Sequence, residues 1–348
     1  MNASVSQTNR QLQSLTVDPE LVPGARNAVN VCLRVQPTEK VTVITDEATK
    51  EIAAALVREV KIVGAPFNAW ILEDLAPRPL TDLPPEVGED MESSQVSIFA
   101  VQAQKNELKS RMQMTDIVNR RKMRHAHMVN INRQIMLEGM RADFLKVDRI
   151  SAKVIDLVTR AKTIRARTAA GTDLTATLNP NYRWLKTSGI ISPDKWGNLP
   201  GGECFTTPGE VNGTFVIDGV VGDYLCARFG DLKDNPLTIQ IKGNRLTEAH
   251  SANRELEEDF WHYTHTDENS DRVGEFAIGT NIELKDVIGQ ILQDEKYPGV
   301  HIAFGNPYGA HTGADWYSST HIDVVGRKFD IWVDNQQIMR NGQFLLEA

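Results

Sequence analysis

Six residues in the second half of the chain, Glu203, Glu275, His301, Tyr308, His321 and Asp323, carry side chains that could act together on one ligand. All are oxygen or imidazole donors, which suit zinc, cobalt, manganese or magnesium better than a thiophilic ion. Glu203 follows the turn Pro200-Gly201-Gly202 in NLPGGECFTTP, where the chain can present a carboxylate while its own backbone stays fixed. His321 and Asp323 stand two apart in THIDVV, and on a strand that spacing aims both from the same face. Glu275, in VGEFAIGTN, reads as a second carboxylate carried on a separate loop. Two such carboxylates could flank a pair of ions about 3.5–4 Å apart, which together activate a water and polarise a scissile carbonyl. Taken singly, each residue also has an ordinary reading: His301 as a hydrogen-bonded core histidine, Glu203 as a surface acid.

These residues fall in a region of short strands and glycine-rich turns. Ile164 to Leu178 alternates around Gly171-Thr172-Asp173, and Gly213 to Val221, Leu237 to Ile241 and Phe329 to Val333 read as further strands. The first half has a different texture. Val41 to Thr45 predicts a buried strand, followed by a helix capped by Asp46 with Ile52, Leu56, Val60 and Val63 at helical spacing. Ala69 to Leu72 and Gln95 to Val101 predict two more strands, separated by a proline-rich loop over 76–88. The pattern is βαβ, but no glycine fingerprint follows the first strand, so a dinucleotide site is not expected. Residues 105–145 read as helical and strongly basic around Arg120, Arg121, Lys122, Arg124, His125 and His127. On a helix those two histidines would not share a face. Asp148 to Lys162 predicts a last helix. The expected fold class is α/β: an N-terminal α/β domain over 1–162 with a parallel-type sheet, and a C-terminal α+β metal-binding domain over 163–348.

The bulk properties narrow the partners. A length of 348 residues fits about two domains of ~150 residues each. The formal net charge of −8 counts against nucleic acid or an anionic membrane, which need a basic face, so the basic stretch reads as a solvated helix face or a subunit contact. Three cysteines without CxxC spacing argue against a disulfide scaffold and against thiolate zinc, and Cys204 reads as a small inward-facing residue. The N-terminus, MNASVSQTNRQLQ, lacks a signal-type apolar segment, and disorder is expected only there. No apolar run approaches the ~20 residues of a membrane span, so a cytoplasmic location is expected.

Taken in order, the motifs resemble the thermophilic-type metallo-aminopeptidases, the family of aminopeptidase T, aminopeptidase S and related leucyl aminopeptidases. That family has PGGE-V-F-T, G-E-x-x-x-G-x-N, DEK ahead of H-I-A-x-G, and a closing H-[LIV]-D; this chain reads PGGECFTTP, GEFAIGTN, DEKYPGVHIAFG and HID. The family's tyrosine ligand lies seven positions beyond its first histidine, which is Tyr308 here. The resemblance spans roughly residues 163–345. It implies two divalent ions on Glu203, Glu275, His301, Tyr308, His321 and Asp323, with Glu203, Glu275 and Tyr308 catalytic. It further implies hydrolysis of the N-terminal bond of small peptides, in a homodimer enclosing a cavity. Asp294 and Glu295 of DEK are candidates for the general base, or else for a structural turn. Ring-cleaving 2,5-dihydroxypyridine dioxygenases share the scaffold and hold one Fe(II) on two histidines and an aspartate, which here would be His301, His321 and Asp323. Those enzymes lack the PGGE glutamate, and retention of Glu203 and Glu275 favours two ions and hydrolysis.

Overall fold

Val41–Thr45 (β1), Phe67–Ile71 (β2), Val96–Val101 (β3) and Arg124–Val129 (β4) pair in parallel in the order β2-β1-β3-β4, with the short strand Gly197–Asn198 beside β4. β1 and β3 are buried along their whole length, as expected of a parallel sheet covered on both faces. The computed structural model describes residues 3–194 and 196–347. Its chain forms two compact units, Met1–Leu145 with Gly189–Gly201, and Lys146–Ser188 with Gly202–Ala348. The sequence pattern places the boundary near 162. Helix Phe144–Val158 makes the difference, because its Ile150, Val154 and Val158 belong to the apolar core of the second unit. Of the N-terminal stretch expected to be disordered, Ala3–Ser14 is helical, while Met1 and Asn2 lie outside the described residues. Among the described residues no helix is long and apolar enough to cross a membrane.

In the first unit, Asp46 is not the helix cap. The helix is Lys50–Val63 and its N-cap is Thr49. Asp46 instead ties down the turn after β1, accepting from Thr49 N at 2.9 Å and Thr49 Oγ1 at 2.7 Å through Oδ1. Its Oδ2 accepts from Gln102 N at 2.7 Å and Arg78 Nη1 at 2.8 Å. The strand order reverses between β1 and β3, where open α/β sheets place ligands. Beside it the buried Arg78 pairs with Asp46 and Glu107.

The basic stretch departs from the helical expectation. Its helix, Leu108–Arg121, stops at Lys122 in a left-handed conformation, and Arg124 to Val129 becomes β4. Its charges have acidic neighbours: Arg120 and Arg121 flank Glu92, Lys122 lies near Asp194, and Arg124 pairs with Glu39. His125 and His127 therefore do share a face, with Ser97 Oγ 2.8 Å from His125 Nδ1 and His125 Nε2 3.2 Å from His127 Nδ1. Phe99 stacks on His127, and Trp196 packs against both rings.

Burial lowers His125 to about 3, and it lowers His127 as well, reinforced by His125 and Arg111. Both imidazoles are thus neutral when folded and ionise near ~6.5 when unfolded, so stability is held above that pH and lost below it. Between pH 6.5 and 5 the loss is expected to be roughly 2 kcal/mol per histidine. Denaturant midpoints at the two pH values check this, and the double variant His125→Gln/His127→Phe should lose most of the difference.

The second unit is built from two antiparallel sheets. The larger has eight strands, running from Arg245–Ser251 at one edge through Asp173–Thr177 and Thr163–Arg167 to Gln343–Phe344 at the other. The smaller comprises Leu185–Thr187 (β5), Glu203–Thr206 (β6), Val273–Gly279 (β7), Gly299–Gly305 (β8) and His321–Val325 (β9), in the order β9-β8-β7-β6-β5. One core joins them, with the Phe215–Phe329 and Phe260–Phe304 ring contacts inside it.

Candidate metal centre

Register within the smaller sheet decides which side chains meet. Glu275 on β7 lies opposite Ala303 on β8, which lies opposite Asp323 on β9. His301 pairs with Ala277, Gly305 with His321, and Glu203 with both Gly279 and Thr187. Directly opposed residues share a face and residues two apart share it too. Glu203, Glu275, His301, His321 and Asp323 therefore all project from one face. The other face is apolar: Cys204, Phe276, Ile278, Ile302, Phe304, Ile322 and Val324 belong to the core. Cys204 thus faces inward, into that core. The two glutamates do not come from loops as the sequence implied. Glu203 opens a strand and Glu275 lies within one, each fixed by ladder hydrogen bonds.

Gly202 sets the start of β6. It has φ +133°, and a Cβ there would meet the Cβ of Asn281 at 2.6 Å. Its N–H donates to Thr187 O and its carbonyl accepts from Thr280 N, both at 2.7 Å. Only glycine satisfies that backbone and that approach together. The small residues Ala277, Gly279, Ala303 and Gly305 leave room between the functional side chains on the same face.

Two clusters share Glu275. The inner one is buried: His301 Nε2 lies 3.4 Å from Glu203 Oε2 and 3.5 Å from Glu275 Oε1. The outer one is more open: His321 Nε2 lies 4.0 Å from Glu275 Oε2 and 3.5 Å from Asp323 Oδ2. Tyr308 covers this outer cluster, its ring centroid 4.6 Å from that of His321 and the residue itself 42% exposed. Its backbone is left-handed, at φ 50°, with its N–H donating to Asn306 Oδ1 at 2.9 Å. The fold thus brings all six sequence-predicted residues to one place, Tyr308 by its ring.

Charge within the cluster is compensated internally. Burial pushes Glu203 up, and Lys296 and His301 more than reverse it, leaving its carboxyl below the ordinary range. Glu275 is raised by burial and by the like charges of Asp323 and Glu203, although His301 works against that. Burial disfavours the charged form of His321, yet Asp323 and Glu275 lift it to about 10. His301 is raised in the same way, by Glu275 and Glu203.

The donor set fits a metal. His301 Nε2 is buried with no well-formed hydrogen bond, facing two carboxylate oxygens. Two ligands at 2.0–2.2 Å from a tetrahedral ion stand about 3.4 Å apart, close to the separations seen here. Glu203, Glu275 and His301 each offer an atom within 4.8 Å of the others. On the outer side, His321 Nδ1 donates to Asn306 O at 2.9 Å, which turns Nε2 towards Glu275 and Asp323, where a bound ion would take the place of its proton.

Sequence reasoning missed three contributors. Lys296 is buried with Nζ 2.7 Å from Glu203 Oε1 and also pairs with Glu295. Thr187 Oγ1 donates to the same Glu203 oxygen at 2.8 Å, and Asn306 orients His321. Lys296 lies within the DEK run and could be found there, whereas Thr187 and Asn306 carry no local signal. Asp294 proves structural, accepting from Ile288 N at 2.9 Å and Gln290 N at 2.7 Å, with burial pushing it up to about 7. Burial raises Glu295 to about 8.

The profile of the thermophilic metalloprotease (M29) family matches residues 134–344, more than half of the chain. The chain belongs to that family. Membership makes it a peptidase dependent on a divalent metal, and the match contains all six residues. No curated protein sequence matches the chain. Two solved structures share its fold over nearly the whole length. One is 2,5-dihydroxypyridine dioxygenase from Pseudomonas putida KT2440, with TM-score 0.70 and 16% identity, covering 98% of this chain and 98% of the dioxygenase. The other is wild-type AmpT from Thermus thermophilus, with TM-score 0.69 and 16% identity, covering 94% of this chain and 99% of AmpT. At 16% identity these likenesses establish the α/β fold and leave the chemistry to the site.

Proposed function

We propose that this metalloprotease is an aminopeptidase that removes N-terminal residues from small peptides, with two divalent ions held by Glu203, Glu275, His301, Tyr308, His321 and Asp323. The observation that carries this reading is the position of Glu275, with one oxygen towards buried His301 and Glu203 and the other towards His321 and Asp323. A carboxylate placed between two donor clusters is what a paired-ion site requires. Bound zinc, cobalt, manganese or magnesium ions would supply Lewis acidity and acidify a water towards pKa ~7.

The chain's own residues prepare that chemistry. Asn306 orients His321, β6 and β7 hold the two glutamates, and the ring of Tyr308 packs against His321. Asp294 is committed to its turn, which leaves Glu295, ion-paired with Lys296, as the acid of its motif that would exchange a proton. The same reading takes the protein as a cytoplasmic homodimer with neither nucleic acid nor membrane as partner.

Metal analysis together with release of free amino acid from short peptide amides tests the reading. Two ions and hydrolysis are expected. Fewer than two ions with no hydrolysis under any divalent metal would sink it. The rival chemistry, a single Fe(II) on His301, His321 and Asp323, is favoured by the dioxygenase fold likeness and opposed by the engagement of His301 with Glu203 and Glu275. It predicts ferrous-dependent oxygen uptake with a hydroxylated heteroaromatic.

A further inference from the structure

Lys296 does more in this site than neutralise the acids beside it. It is almost fully enclosed, at 1% side-chain exposure, and its backbone is pinned on both sides: its N–H donates to Gln293 O at 2.9 Å and its carbonyl accepts from Asn281 N at 3.0 Å. From that anchored position Nζ reaches Glu203 Oε1 at 2.7 Å, and Thr187 Oγ1 donates to the same oxygen at 2.8 Å. The second oxygen, Oε2, is the one near His301 Nε2. The two oxygens of one carboxylate therefore have separate duties.

We propose that Lys296 and Thr187 are positioning residues that lock Glu203 as a one-oxygen ligand, holding Oε1 so that only Oε2 is offered to the inner ion. This inference rests on the paired-ion reading above. A glutamate free to turn could chelate through both oxygens or swing away, and ordering it would subtract from the binding free energy. Here two donors from separate elements, β5 and the turn before β8, stop that rotation before any ion arrives. Partners behind a ligand commonly contribute 10–100-fold in metal affinity. Glu295 serves as the counter-charge that keeps the buried ammonium tolerable.

Lys296→Met alone would leave two buried carboxylates without their cation and can fail to fold. The decisive variant is therefore Lys296→Met/Glu295→Gln, with Thr187→Val as a milder companion. Zinc titration of the chelator-stripped full-length protein by calorimetry is the readout, with its thermal midpoint followed in parallel. The parent should bind two ions. The double variant should keep its midpoint within a few degrees and bind one ion as the parent does, while the other is weakened roughly 10–100-fold. Thr187→Val should weaken the same ion by a smaller factor. Equal binding of both ions in parent and variants would overturn the role of Lys296 while leaving the paired-ion reading intact. A uniform loss at both ions together with a collapsed midpoint would mean that Lys296 is only structural. A parent that binds no zinc would overturn both readings.

Discussion

Glu275→Gln should give a folded protein that holds fewer than two ions and has lost at least about a thousandfold in kcat/KM on a short peptide amide. That loss corresponds to about 4 kcal/mol of transition-state stabilisation. The size follows from position. Glu275 faces His301 through one oxygen and His321 through the other, so its removal breaks the link between the inner and outer clusters, whereas loss of Glu203 affects the inner one alone. The amide keeps the volume of the side chain, and it also removes one of the like charges that crowd this face of the sheet. The thermal midpoint of chelator-treated protein should accordingly stay level or rise, the usual trade between activity and stability at a strained site. Metal analysis, peptide kinetics and a melting curve check the three parts. Retention of two ions with normal turnover would contradict the assignment.

Ala303→Leu should abolish ion binding without touching a single donor. Ala303 is fully buried, opposite Glu275 on one neighbour and Asp323 on the other, on the face that carries the donors. A leucine there occupies the space into which those two carboxylates converge. Overpacking costs typically ~1–3 kcal/mol, so a lowered but cooperative melting transition is expected alongside loss of metal and of peptide hydrolysis. Ala303→Ser, nearly the same size, should keep both. If the leucine variant binds metal as the parent does, the ions do not sit over this row of the sheet.

Legibility in the sequence followed the distance over which each signal acts. β1 matched its apolar run residue for residue, and the His321-x-Asp323 spacing became two side chains on one face of β9, because both depend on neighbours in the chain. The failures came from pairing across the sheets. β4 reads as helix because Arg124, His125 and His127 look like a basic surface, yet its parallel partner β3 buries His127 against Phe99 and His125 beside Ser97. Thr187 stands sixteen residues before Glu203 and meets it only through the β5–β6 ladder. The helix expected over Asp148 to Lys162 is Phe144–Val158, and nothing local says which core its apolar stripe will join.

The two-faced sheet has a consequence for how variation can spread through this protein. Along β6 to β9, successive positions belong alternately to the folding problem and to the chemistry: Ile302 and Phe304 to one, His301 and Ala303 to the other. Substitutions should therefore sort by parity. Changes at one parity would alter which ions and reactions the protein supports at little cost to its melting point, and changes at the other would do the reverse. On such a scaffold a reaction can be rewritten while the fold is inherited untouched.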